Sequence, residues 1–148
     1  MNYRETMSRL NSALNSIDSA YAIIAKNHEL TFNSLMVVCL ISETKNITQK
    51  QICDTLHLPK YTVHSILLDF MKREYVLLVV GGNKKEKFVT FTEKGNQYFG
   101  AILNETYLFE DKILSKLGDD TCTYLVETAE KLGDIIQDEV ETMNNKEV

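Results

Sequence analysis

Few residues in this 148-residue chain have the type and spacing for chemistry. Cys53 and His57 stand four apart, so a helix would put a thiolate and an imidazole on one face as two metal ligands. No further ligand lies near them in sequence, and packing accounts for them better. Gly81-Gly82-Asn83-Lys84-Lys85 is basic and glycine-rich, yet it lacks the glycine spacing and the following Ser or Thr of a nucleotide phosphate loop. Cys39 sits in the most apolar stretch of the chain, where full burial would leave a thiol inert. No Ser–His–Asp set, His-Glu-x-x-His or pair of carboxylates in an evident cleft is present. An enzyme is not expected, nor a cofactor or a metal.

What remains is a distribution of charge. The net charge of −5 argues against a polyanionic partner until it is divided along the chain. Residues 1–44 carry a net −1. Residues 45–94 carry nine basic side chains (Lys45, Lys50, Lys60, Lys72, Arg73, Lys84, Lys85, Lys87 and Lys94) against five acidic ones, a net +4. Residues 95–148 carry a net −8. A basic middle between acidic flanks suits a module that faces phosphate while the rest faces solvent or a partner.

The elements that must position those lysines are read from periodicity. One Pro and six Gly, far below the ~12% of an average chain, favour long helices. Hydrophobic content of 44% and charged content of 25% are those of a folded, soluble protein. Three cysteines without a CxxC argue against a disulfide framework and for a reducing compartment. No secretory signal and no membrane span is expected, because the longest apolar run is only Leu35 to Ile41. The expected location is the cytoplasm.

From Tyr3 to Lys26, apolar residues at Met7, Leu10, Leu14, Ile17, Tyr21 and Ile24 mark one stripe of a long helix that needs something to pack against. Thr31 is placed to cap a second helix, apolar nearly all round and so expected to be fully buried. Thr48-Gln49-Lys50-Gln51 reads as a capping box that opens a short helix closed by His57-Leu58-Pro59. The next helix starts at Pro59 or Lys60 and buries Val63, Ile66, Leu67, Phe70 and Met71. Its other side shows Lys60, Tyr61, His64, Ser65, Asp69 and Lys72. Two short helices around a tight turn make a helix-turn-helix. Val76–Val80 and Phe88–Thr92, either side of Gly81-Gly82-Asn83, predict a β-hairpin. A helix capped by Thr92-Glu93-Lys94-Gly95 then runs to Leu117, Gly118 stops it, and Asp119-Asp120 begins a last helix.

The fold class expected is mainly α with a small β-hairpin: a winged helix-turn-helix with N- and C-terminal helical arms. With this order of elements, four stretches resemble the MarR family of bacterial transcription regulators over essentially the whole chain. They are Ile47-Thr48-Gln49-Lys50-Gln51-Ile52-Cys53; Leu58-Pro59-Lys60-Tyr61-Thr62-Val63; Leu68-Asp69-Phe70-Met71-Lys72-Arg73-Glu74-Tyr75-Val76; and Val89-Thr90-Phe91-Thr92-Glu93-Lys94-Gly95. The last is similar to the family's Val-x-Leu-Thr-x-x-Gly, with Phe91 at the Leu position. Two departures stand out. The wing offers Asn83-Lys84-Lys85 in place of the family's Asp-x-Arg, and Glu74 stands where a Gly or small turn residue is common.

The resemblance implies a homodimer on a pseudo-palindromic duplex site, most often as a repressor. It assigns 1–30 and 97–148 to helical dimerisation and 31–96 to DNA binding. Recognition helices of a dimer would lie about one DNA turn, roughly 34 Å, apart. Tyr61, Thr62, His64 and Ser65 are expected to face the major groove, and Lys60 and Lys72 the phosphates. Lys84, Lys85 and Lys87 are expected at phosphate or the minor groove beside it. With no Arg on the recognition helix before Arg73, base discrimination should be modest and salt dependence steep. A small-molecule effector is a further implied partner; Tyr21, His28, Tyr98 and Tyr107 are of the type to line its space, though core packing explains them as well. The rival from another class is a protein-interaction module that keeps the winged helix and binds no operator.

Overall fold

The computed structural model describes residues 1–82 and 85–146. Its elements run α1 (Tyr3–Asn27), α2 (Phe32–Glu43), β1 (Ile47–Thr48), α3 (Gln49–Leu56), α4 (Lys60–Lys72), β2 (Val76–Val80), β3 (Lys87–Phe91), α5 (Glu93–Leu117) and α6 (Asp119–Asn145). The chain divides into two units, Met1–Thr106 and Tyr107–Val148, the division falling within α5.

Local chemistry sets the helix starts in the first unit. Asn2 caps α1, accepting from the amides of Arg4 and Glu5. The Thr31 hydroxyl accepts from the Ser34 amide at 3.1 Å. At α3 the capping box is complete: Gln51 N–H donates to Thr48 Oγ1 at 3.1 Å, and Thr48 N–H donates to Gln51 Oε1 at 2.9 Å. Helices α1 and α4 close with paired backbone bonds in Schellman style, from Leu30 N to Ala25 O and from Tyr75 N to Phe70 O.

The sheet is antiparallel, in the order β1-β3-β2. Val76 faces Phe91 and Leu78 faces Val89, so the hairpin is the one the two apolar runs predict. Strand β1 was not foreseen. It is two residues long, Ile47 opposite Val89 and Thr48 opposite Phe88, too short to show a period. Strand β3 ends one residue earlier than its composition suggests. Thr92 leaves the ladder because its hydroxyl bridges two elements, donating to Glu74 O at 2.6 Å and accepting from Gly95 N–H at 2.9 Å.

The core is aromatic at its centre. Phe99 is fully buried, with the rings of Phe70, Tyr75, Phe91 and Tyr98 all within 5.5 Å of its own centroid. Around it lie Leu35, Val38, Ile52, Val63, Leu67 and Ile102. Helix α2 is less enclosed than expected: Leu35, Val37, Val38 and Ile41 are buried, whereas Met36, Cys39 and Leu40 are half-buried. Elements of this unit cover one side of that largely apolar helix. His28 contacts the Glu105 carboxylate, and the Tyr98 hydroxyl donates to His28 O at 3.4 Å. Burial, then the neighbouring Tyr75, pushes the Tyr98 phenol above its ordinary value.

In the second unit, Gly118 at φ 88 separates the end of α5 from α6. Its N–H closes α5 on Leu114 O, and its own carbonyl accepts from Cys122 N–H. No residue of α6 is buried. Its stripe of Leu125, Ile136, Val140 and Met143 stays 46–65% exposed. No helix among the described residues is long and apolar enough to cross a membrane.

Candidate nucleic-acid interface

Pro59 sets the start of α4. Its ring holds the extended backbone at φ −60, ψ 147, and helical geometry begins with Lys60. No side chain caps this end, and the amides of Lys60 and Tyr61 lie in the first turn, where a helix has no partner for them. The positive end of the helix dipole therefore opens outward beside a lysine.

The register of α4 then divides its residues. Val63, Leu67 and Phe70 are at most 2% exposed and fasten the helix to the core. Tyr61, His64, Ser65, Leu68 and Lys72, at helical steps of three and four, form the opposite exposed strip. Tyr61 is 76% exposed. Lys60 flanks the strip at its start, and Lys72 ends it about 18 Å further along the axis. Thr62 is half-buried on the flank it shares with Ile66. The structure thus brings Lys60, Tyr61, His64, Ser65 and Lys72 onto one side of a single helix.

On the hairpin, Lys85 and Lys87 are exposed, with Lys87 opposite Val80 in the ladder. Gly81 N–H donates to Glu86 O at 2.9 Å and closes the turn. A Cβ at Gly81 would meet the Phe88 ring at 2.6 Å, so any larger residue there must displace that ring. Lys84 and Asn83 lie outside the described residues.

The basic segment's cations are not equivalent, a distinction its composition conceals. Lys50 pairs with Asp54 at 2.7 Å, Arg73 with Asp69 at 3.2 Å and Lys94 with Glu74 at 3.7 Å. The hydrogen bond Lys50 donates to Asp54, then the charge of that carboxylate, raises the Lys50 pKa. Among the described residues no carboxylate lies in ion-pair reach of Lys60, Lys72 or Lys87, so their charge is available to an outside anion.

Two exposed apolar features were not foreseen. Leu68, 39% exposed, sits within the α4 strip. Strand β2 buries only Val76, while Leu77 to Val80 are 39–59% exposed. A run of five apolar residues lacks the alternation that would reveal which face is open; only its pairing does so. His57 takes φ 51 at the end of α3, with its N–H on Cys53 O, so that pair closes a helix.

Comparison with known proteins agrees with this geometry. No family model matches the chain, and no curated protein is significantly similar to it. Solved structures are. A MarR family regulator from Neisseria meningitidis, NMB1585, superposes with a TM-score of 0.80 at 21% identity, covering 95% of this chain and 98% of that one. The Staphylococcus aureus MepR–DNA complex gives a TM-score of 0.73 at 14% identity, over 92% and 99% of the two chains. Staphylococcus aureus MarR, solved with salicylate and kanamycin, gives 0.72 at 14% identity, over 93% of each. The chain has the winged-helix fold of the MarR family transcription regulators.

Proposed function

We propose that the protein is a non-enzymatic, sequence-specific regulator of transcription that binds double-stranded DNA as a homodimer and acts as a repressor in the cytoplasm. The observation that carries the reading is the exposed strip of α4: Tyr61, His64 and Ser65 between unpaired Lys60 and Lys72, on a helix anchored from behind by Val63, Leu67 and Phe70. A helix so presented fits the major groove, its polar side chains reaching base edges and its lysines holding phosphate. Thr62 joins the reading side, and Lys84, Lys85 and Lys87 of the wing hold the adjacent phosphates or minor groove. That a structural neighbour was solved on DNA supports this use of the fold.

Residues 31–96 form the DNA-binding part in this reading, and 1–30 with 97–148 the dimerisation part. The apolar residues left exposed on α1 (Met7, Leu14, Ile17) and on α6 support self-association. A small-molecule effector is the remaining partner, as the salicylate-bound neighbour illustrates for its own chain. Selection of bound sequences from random duplexes tests the function and its symmetry together. The expected result is a two-fold symmetric site; failure to enrich any sequence overturns the reading. One observation favours a second reading, a protein-interaction module without operator: the exposed apolar strand Leu77–Val80 is an unusual surface to bring beside phosphate. A mobility-shift assay on the chain's own promoter region separates them, since a scaffold gives no sequence-dependent shift.

A further inference from the structure

One residue of the exposed α4 strip is aliphatic. Leu67 and Leu68 are neighbours in sequence, and the helical turn between them sends Leu67 into the core and leaves Leu68 in solvent. Leu68 does not belong to the margin of the buried side. It shares the outermost line of the helix with Tyr61, Ser65 and Lys72, to which it stands at steps of seven, three and four residues. Ile66 and Met71, both half-buried, mark that margin instead.

Its neighbours define what the strip can read. His64 and Ser65 can each donate or accept a hydrogen bond, so neither separates the bases sharply. Asp69, the one carboxylate of α4 and a group able to accept from cytosine, is held by Arg73 at 3.2 Å. Leu68 has no such latitude. A purine N7 or an exocyclic amino group pressed against it would lose its water and gain no hydrogen bond, which lowers affinity. The apolar group that the major groove does offer on a base edge is the 5-methyl of thymine. Lysines bring the two together. Lys60 and Lys72 bracket Leu68 along the helix, with no carboxylate of the described residues in ion-pair reach of either. Phosphates held at both ends seat the stretch between them in the groove.

We propose that Leu68 is a specificity-determining residue that packs on the 5-methyl group of one thymine in each half-site, and so makes binding depend on a T·A pair there. This rests on the DNA-binding reading above and adds to it the chemistry of one base position. Burial of a single methyl group contributes about fourfold in affinity per half-site. A 5-methylcytosine carries its methyl group at the same place on the ring, so at that position it is preferred over cytosine by a similar factor.

The test uses the full chain and a duplex enriched from random sequences, with binding followed by fluorescence anisotropy. Each thymine of the duplex is replaced in turn by deoxyuridine, which removes the methyl group and keeps the pairing edge. The expected result is one position in each half-site where the exchange lowers affinity about fourfold, and where 5-methylcytosine binds more tightly than cytosine. In Leu68→Ala, whose side chain is too short to reach, both differences vanish at that position, while the other thymines respond as in the wild type. Leu68 is exposed, so the variant keeps the fold, which its thermal transition checks. Lys60→Ala, by contrast, weakens binding to both duplexes and leaves the ratio between thymine and uracil unchanged. Affinity that is indifferent to the methyl group at every position overturns the proposal, as does a sensitive position whose ratio persists in Leu68→Ala; DNA binding stands in both cases. If no duplex enriches, the DNA-binding reading fails and the methyl contact falls with it.

Discussion

Three helix ends in the first unit place a side chain where glycine is usual. Glu29, His57 and Glu74 hold φ of 58, 51 and 62, the left-handed region that costs a non-glycine residue about 1 kcal/mol. Glu74 stands where the family the sequence resembles commonly has a Gly or small turn residue, and the backbone gives a reason for glycine at such a position. Its pairing with Lys94 spans 3.7 Å between exposed groups and contributes little. Glu74→Gly should therefore stabilise the fold by about 1 kcal/mol, read as a higher urea midpoint at unchanged slope. Gly95 is the opposite case. A Cβ there would lie 1.9 Å from Tyr75 O, backbone that Thr92 N–H already holds at 3.0 Å. Gly95→Ala is expected to cost roughly 3 kcal/mol by the same measurement, because neither helix nor turn can give way locally. Among the lysines, Lys60→Ala should weaken DNA binding about equally for all sequences and lower the salt slope by about 2, as loss of one phosphate contact in each protomer of the homodimer requires. A salt titration of the wild type showing no loss of affinity between low and physiological salt would refute the phosphate contacts altogether.

At the scale of elements, the decisive joint is where α4, the hairpin and α5 meet. Phe99 fills it, touching Phe70 of α4, Tyr75 of the turn, and Phe91 of β3. Phe99→Ala should cost about 3–5 kcal/mol in denaturant unfolding, by lost transfer energy and the cavity left behind. Helix boundaries were readable because they rest on local chemistry: Thr31, Thr48, Pro59, Thr92 and Gly118 act within three or four residues of themselves. The strand boundaries were less so. Strand β1 exists only because β3 lies beside Ile47 and Thr48, and Thr92 leaves its strand for a carbonyl eighteen residues away. Neither partner is near in sequence. The exposed strip of α4 was readable in outline from the period of Val63, Leu67 and Phe70, but Leu68 was not, since its type alone suggests the core.

For the molecule as a whole, the proposed homodimer makes a direct prediction. Ile136, 49% exposed on an α6 with no buried residue, lies in the apolar stripe of the second unit. Ile136→Asp should shift micromolar protein toward monomer in sedimentation velocity and abolish binding to a two-fold site, while leaving the first unit's thermal transition in place. A wild type that sediments as a stable monomer would count against dimeric binding itself.

The amino-acid order determined the helices, their caps, the hairpin and the basic stretch between acidic flanks, because each follows from interactions a few residues long. Lys50 and Arg73 are spent on carboxylates four residues away, Asp54 and Asp69, whereas tertiary structure alone brought Lys94 to Glu74 and left Lys60, Lys72 and Lys87 available. It also decided that β2 is open to solvent. Pairing and exposure are properties of side chains brought together across the fold, and composition carries only the possibility of them.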